Sequence, residues 1–168
     1  MPLVEAHEIA QLVDRHAAAL ELYAAHWTDA PEDCVQEAFV ELARQLQRPG
    51  NVVAWLYQVV RNRALNAARA DRRRAHHEQL AALRRDSRQA SDFGAEDKLS
   101  LPEALAALAI EEREIVVLRI WSELTWQQIA DLTNTSSSSA QRRYVAALSE
   151  LRKYLEPSCE VNPIYRPS

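Results

Sequence analysis

Two stretches of this 168-residue chain hold side chains suited to nucleic acid. The first is Trp55, Tyr57, Arg61, Asn62, Arg63 and Asn66, followed by Arg72, Arg73 and Arg74. Aromatic rings stack on unpaired bases and guanidinium groups hold phosphates, so this interleaving suits a single strand or a distorted duplex. Core packing is the competing reading for Trp55, because adjacent Trp55 and Leu56 cannot both face outward. For the arginine run the competing reading is a solvated helix end near the negative dipole pole. The second stretch is Ser136 to Ser139 followed by Gln141, Arg142 and Arg143. Short polar groups near a helix N-terminus, with an amide and a guanidinium beside them, suit a major groove. There arginine reads guanine, glutamine reads adenine and the helix end receives a phosphate.

Enzyme constellations are missing from the pattern. With only two glycines, the chain has no Gly-rich phosphate loop and little material for hairpins. Adjacent His76 and His77 diverge by about 100° on a helix and make a poor metal pair. His7, His16 and His26 fall on an ordinary amphipathic helix. Glu32, Asp33, Glu37 and Glu41 lie along one helix with no local base to work with, and Ser136–Ser139 reads as a helix cap. No cofactor and no metal site is predicted. Cys34 and Cys159 form neither a disulfide framework nor a cluster, which fits a reduced cytoplasmic protein. No run of about 18 apolar residues exists to span a membrane. The N-terminus lacks the basic and apolar regions of a secretory signal.

The elements that must position these groups are all helical. Ala, Leu, Glu, Arg and Gln dominate, and they favour helix on propensity. A first helix carries Ile9, Leu12, Val13, His16, Leu20, Tyr23, Ala24 and Trp27 at spacings of three and four. Pro31 suits the first turn of a second helix, with Val35, Ala38, Phe39, Leu42 and Leu46 on one face, ending at Arg48-Pro49-Gly50. Asn51 caps a third helix with Val53, Leu56, Tyr57, Val60 and Ala64, which runs on to about Arg74. Residues 81–99 lose the pattern and read as a linker. Ser100 and Glu103 form a capping box before Leu105 and Leu108. A helix with Ile115, Val116, Leu118 and Ile120 follows, then a brief one over residues 124–132. Asn134 tolerates the left-handed turn, and Ser136 caps a last helix whose stripe is Ala140, Tyr144, Ala147, Leu148, Leu151 and Leu155. The tail from Pro157 is expected to be mobile. The fold class is therefore all-α: two small helical domains, residues 1–80 and 100–156, with linker 81–99 and tail 157–168. The second domain ends in a helix-turn-helix.

Charge is segregated between these parts. Residues 1–60 carry a balance of −6, residues 61–88 of +6 and residues 89–130 of −5, while 131–168 stand at +1. Separate surfaces for different partners, one of them polyanionic, follow from such blocks.

Three motifs in order carry a family resemblance. Pro31-Glu32-Asp33-Cys34-Val35-Gln36-Glu37-Ala38-Phe39 resembles the region 2 helix of bacterial sigma factors. Residues Ala54 to Asn62 resemble the segment that follows it. Residues Leu124 to Asp131, with Ser139-Ala140-Gln141-Arg142-Arg143, resemble region 4. Covering residues 5–78 and 100–155, the arrangement is similar to the extracytoplasmic-function group of the sigma-70 family. The resemblance implies a three-helix bundle for region 2 and a non-catalytic initiation factor that guides core RNA polymerase to promoters. It implies that Asp33, Gln36 and Glu37 dock on the β′ clamp helices, with the β subunit as a further polymerase contact. The loop at Asn51, with Trp55, Arg61 and Asn62, would hold the opened minus-10 element, and Arg72, Arg73 and Arg74 would meet phosphates. Ser136, Ser138, Ser139, Gln141, Arg142 and Arg143 would read the minus-35 element. An anti-sigma factor is an optional third partner. Asn66 and Asn134 depart from the family's frequent Asp and Gly, and Ser137-Ser138-Ser139-Ala140 replaces its usual approach to the groove. The runner-up reading is a stand-alone helix-turn-helix regulator. A third, a recombinase with such a domain, lacks the nucleophile and the α/β domain it needs.

Overall fold

The computed structural model describes residues 4–82 and 100–156, and the predicted linker core and C-terminal tail, with Cys159, lie outside them. Among the described residues the chain forms helices and no strand. Helices α1 (Ala6–Ala24), α2 (Pro31–Arg44) and α3 (Val52–Ala82) make the first domain; α4 (Leu101–Ala107), α5 (Ile110–Trp121), α6 (Trp126–Thr133) and α7 (Ser137–Leu155) make the second.

In the first domain α1 packs on α2 and both pack on α3. Leu20, Tyr23, Val35, Ala38, Leu42, Leu56, Tyr57, Val60 and Ala64 are buried where the three stripes meet. Each large apolar side chain in such a core contributes about 1.5–3 kcal/mol of burial. Pro31 is the first residue of α2, with Glu32 and Asp33 in the opening turn where the dipole favours acid. Asn51 accepts a hydrogen bond from the Ala54 amide at 2.9 Å and starts α3 as its cap.

Three expected boundaries are corrected. Helix α1 ends at Ala24, and His26 and Trp27, expected on it, fall in the turn that follows. Helix α2 stops at Arg44, short of Arg48-Pro49-Gly50, and Leu46 lies beyond it, 86% exposed. Gln45 already has extended backbone, so Leu46 leaves the stripe that its spacing suggested. Helix α3 continues past Arg74 to Ala82, two residues beyond the expected domain limit at 80. Apart from His76 and His77, alanine and straight-chain residues fill that stretch, and nothing in it breaks a helix.

In the second domain α5 packs on α7, α6 on α7 and α4 on α7. Ser100 receives the reciprocal carboxylate of Glu103 on its amide at 2.8 Å, which opens α4. Ala104, Leu105, Leu108, Val116, Ala147 and Leu151 form one cluster; Ile115, Leu118, Leu124, Ile129, Leu132 and Ala140 belong to another. The stripe of α7 is narrower than its spacing predicted. Leu148 and Leu155 are 39% and 37% exposed, because α4 and α5 cover only the Ala140–Ala147–Leu151 edge, with Tyr144 half-buried.

The two domains touch. Helix α1 packs against α5 and α3 meets α6, so the core of the first domain runs on into the second.

Candidate nucleic-acid interface

The helix-turn-helix is held rigid before any partner arrives. Thr125 caps α6 by accepting from the Gln128 amide at 3.2 Å, and the Gln128 side chain returns a bond from the Thr125 amide at 2.9 Å. Asn134 takes the left-handed conformation, φ 53°, at the end of α6. The Thr135 amide then reaches back to the Ala130 carbonyl at 2.9 Å. Ser136 caps α7 by accepting from the Ser139 amide at 3.2 Å. Trp126 meets Tyr144 edge-on with centroids 5.4 Å apart, and the Arg119 guanidinium lies 4.6 Å over the Trp126 ring. The Ser137 hydroxyl donates to Gln127 at 3.1 Å and ties α7 to α6.

That frame exposes one face of α7. Ser138, Gln141, Arg142, Arg143 and Val145 all lie in solvent. Ser136 and Ser139, expected to read DNA, stand at the cap with their hydroxyls 3.0 Å apart, and Arg142 donates to the Ser139 hydroxyl at 3.1 Å. Ser138, Gln141, Arg142 and Val145 fall on one side of the helix, with Arg143 about 100° round from Arg142, so the N-terminal end, one guanidinium and an amide give this surface the means to hold phosphate and read base edges.

The residues expected on α3 separate into three environments. Asn51 uses its side-chain oxygen on the cap. Trp55 is half-buried against the core, while Asn62, two turns on, is exposed and accepts from Gln58 at 3.2 Å. Arg72, Arg73 and Arg74 are exposed, and Arg74 pairs with Asp71 one turn back. Arg61 departs from expectation. Its Nε donates at 2.6 Å to Glu114 of α5, and its guanidinium carbon lies 5.8 Å over the Trp27 ring. In this arrangement a protein carboxylate holds the group expected to hold minus-10 DNA.

On α2, Asp33, Gln36 and Glu37 stand exposed. The expectation that these acids have no partner base is corrected: Arg63 of α3 pairs with both Glu37 and Glu41, the latter at 2.6 Å. Hydrogen bonding to Glu41 is the largest influence on the Arg63 guanidinium and raises its pKa further. Beside them, α1 and α2 leave an open apolar groove between Ile9, Val13, Phe39 and Val40, with Gln36 on its edge. An acidic rim around an apolar trough can take a helix that is basic at its margins and apolar along its crest.

No grouping of acids, histidines and cysteines among the described residues can hold a metal ion. No described helix is long and apolar enough to cross a membrane.

Residues 10–74 match the family model of sigma-70 region 2, and residues 98–151 match that of sigma-70 region 4. A probable RNA polymerase sigma factor, RfaY of Xanthomonas campestris pv. campestris, is 32% identical over 136 residues, covering 75% of this chain. The match takes in 34% of that protein, so the chain spans about a third of this relative's length. Among solved structures, the sigma factor RpoE of Bartonella quintana, in complex with the anti-sigma factor NepR, superposes with a TM-score of 0.65 at 21% identity. That likeness covers 88% of this chain and 96% of the other. CnrH in complex with the cytosolic domain of CnrY gives 0.55 at 24% identity over 88% of this chain and 86% of that one. At such identities the likeness is one of fold.

Proposed function

Because the chain belongs to the sigma-70 family of RNA polymerase sigma factors, in the two-region arrangement of its extracytoplasmic-function group, we propose that it directs promoter-specific initiation. It binds core polymerase through the first domain, residues 1–80, and works in the cytoplasm without catalysing a reaction. Asp33, Gln36 and Glu37 dock on the polymerase, and Trp55 and Asn62 capture unstacked minus-10 bases while Arg61, Arg72, Arg73 and Arg74 hold phosphate. In the second domain, residues 100–156, Ser138, Gln141, Arg142 and Arg143 read the minus-35 groove. The observation that carries the reading is the order of the two regions, with an exposed acidic face on one and an exposed recognition helix on the other. A stand-alone regulator has no use for the acidic face. An anti-sigma factor is a third partner in this proposal, supported by the fold shared with RpoE, which is solved with NepR.

Reconstitution with core polymerase tests the proposal, and the double variant Asp33→Lys, Glu37→Lys tests the docking face. Arg63 keeps Glu41 when Glu37 is lost, and exposed pairs contribute only about 0.2–1 kcal/mol, so the fold survives. Core binding weakens by about 2–5 kcal/mol if these charges are desolvated at the polymerase surface. A chain that neither co-elutes with core polymerase nor supports run-off transcription overturns the function; unchanged affinity in the double variant overturns only the docking face.

Arg142→Ala separates base reading from phosphate holding. Loss of a base contact costs about 1–3 kcal/mol and relaxes preference at one promoter position. Loss of a phosphate contact weakens every sequence evenly and shallows the salt slope by about one. Binding-site selection with both proteins distinguishes these outcomes, and no change in either measure removes α7 from the groove.

A further inference from the structure

Glu114 is the odd member of α5. It shares a stripe with Val117, Leu118 and Trp121, faces the first domain and is only 4% exposed. Its Oε1 accepts from the Tyr23 hydroxyl at 2.7 Å and from Arg61 Nε at 2.6 Å. Tyr23 in turn packs edge-on against Tyr57 and Trp27, each 5.1 Å away. One carboxylate of the second domain thus gathers a tyrosine from α1 and an arginine from α3. A charge withdrawn this far from water is tolerated only while its partners stay on it, so the contact specifies one docked arrangement of the two domains.

That arrangement does not fit a promoter. The minus-10 and minus-35 elements lie about 25 base pairs apart, or about 85 Å of duplex at 3.4 Å per pair. A compact chain of this length has a radius of gyration of about 15 Å, and even α3, its longest helix, runs only about 46 Å. The face of α7 and the arginines of α3 reach both elements only after the α1–α5 and α3–α6 contacts part. The seventeen residues between Ala82 and Ser100 span up to about 60 Å when extended, enough to let them part.

We propose that Glu114 is a latch that holds the free chain shut, and that its carboxylate occupies at Arg61 the place of a DNA phosphate. The inference rests on the reading of Arg61 as a minus-10 contact, but its test needs no polymerase. Spin labels on exposed Arg44→Cys and Ser149→Cys, in the full chain with Cys34→Ala and Cys159→Ser, report the distance between α2 and α7. The latched chain gives one narrow distance. Glu114→Gln broadens and lengthens it, and the exchanged pair Arg61→Glu, Glu114→Arg narrows it again. Glu114→Gln with intact far-UV dichroism also binds a forked minus-10 DNA at least about tenfold more tightly than the unchanged chain, as expected if under a tenth of that chain is open. A broad distance in the chain with Glu114 intact overturns the latch, and that measurement stands even if the variant fails to fold. A distance unmoved by Glu114→Gln overturns it as well. Opening without a gain in DNA binding overturns the phosphate-mimic role. Failure of polymerase reconstitution would strike the proposed function and leave the distance result in place.

Discussion

Ile129→Ala lowers the unfolding free energy of the chain by about 2–5 kcal/mol and abolishes minus-35 binding with it. Ile129 is fully buried and is the main anchor of α6, an eight-residue helix too short to persist unpacked. Around it, α6 meets α5, α7 and α3, so the cavity opens at the point where three helices converge. Neighbouring Ala130 and Leu132 do not replace it, since removed methyl groups leave their contacts unmade when the surroundings relax only in part. Domains of this size hold about 5–15 kcal/mol in total, so the loss is a large share. Urea unfolding followed by tryptophan emission measures the midpoint, and fluorescence anisotropy on a minus-35 duplex measures binding. Ile120→Ala, at a site 48% exposed on the same domain, serves as the control and shifts stability by about 0.5 kcal/mol or less. Equal behaviour of the two variants would mean that α6 is not anchored through Ile129.

Acid weakens the fold well before its carboxylates titrate. Burial, followed by the nearby Arg113 charge, pushes His26 down from 6.5 to about 4. Its Nδ1 donates to the Leu22 carbonyl at 3.0 Å, and its Nε2 is buried with no partner. A second proton would place a buried charge beside Arg113. The unfolded chain takes up that proton near pH 6.5 while the folded chain refuses it until about pH 4, so stability falls with pH across that window. The full loss is on the order of 3 kcal/mol. Burial lowers His16 in the same direction and adds to the slope. Glu8, held down by Arg48, and Glu103, held down by Ser100, lose their contributions only in the carboxylate range. Unfolding free energies at pH 7.5, 6 and 5 measure the effect. His26→Gln flattens the slope between pH 6.5 and 5; a slope unchanged by that variant assigns the proton uptake elsewhere.

Local signals were legible wherever chemistry and position sit within four residues. Asn51 before α3, Ser100 with Glu103 before α4, and Ser136 before α7 stand where caps belong, and Asn134 is one of two left-handed residues among those described; the other, Glu123 at φ 58°, left no such signal. The exposed face of α7 followed from the same periodicity. Thr125 with Gln128 carries the same capping signature and was open to the same reading. Long-range pairing was not legible. Arg63 and Glu37 are 26 residues apart, and no helical period links them. Glu114 did leave a trace. Preceded by Glu111 and Glu112 it passes for one more solvated acid, yet its spacing to Val117, Leu118 and Trp121 puts a charge on an apolar stripe. Such a charge is a demand for a buried partner, and only the folded chain shows that Arg61 and Tyr23 meet it.

Helix α3 is continuous over 31 residues, about 46 Å, yet it is not uniformly protected. Leu56, Tyr57, Val60, Ala64 and Ala68 are locked into the core, whereas residues 71–78 are exposed on every side. Amides in the first half open to hydrogen exchange only when the domain unfolds; those around Arg72–Arg74 open by fraying, because an unpacked helical arm of this length is marginal in water. One unbroken helix therefore exchanges in two regimes, with the change near Ala68. Phosphates seated on Arg72–Arg74 would suppress the faster regime and leave the slower one untouched, so the basic arm carries within its own backbone a gauge of whether nucleic acid is bound.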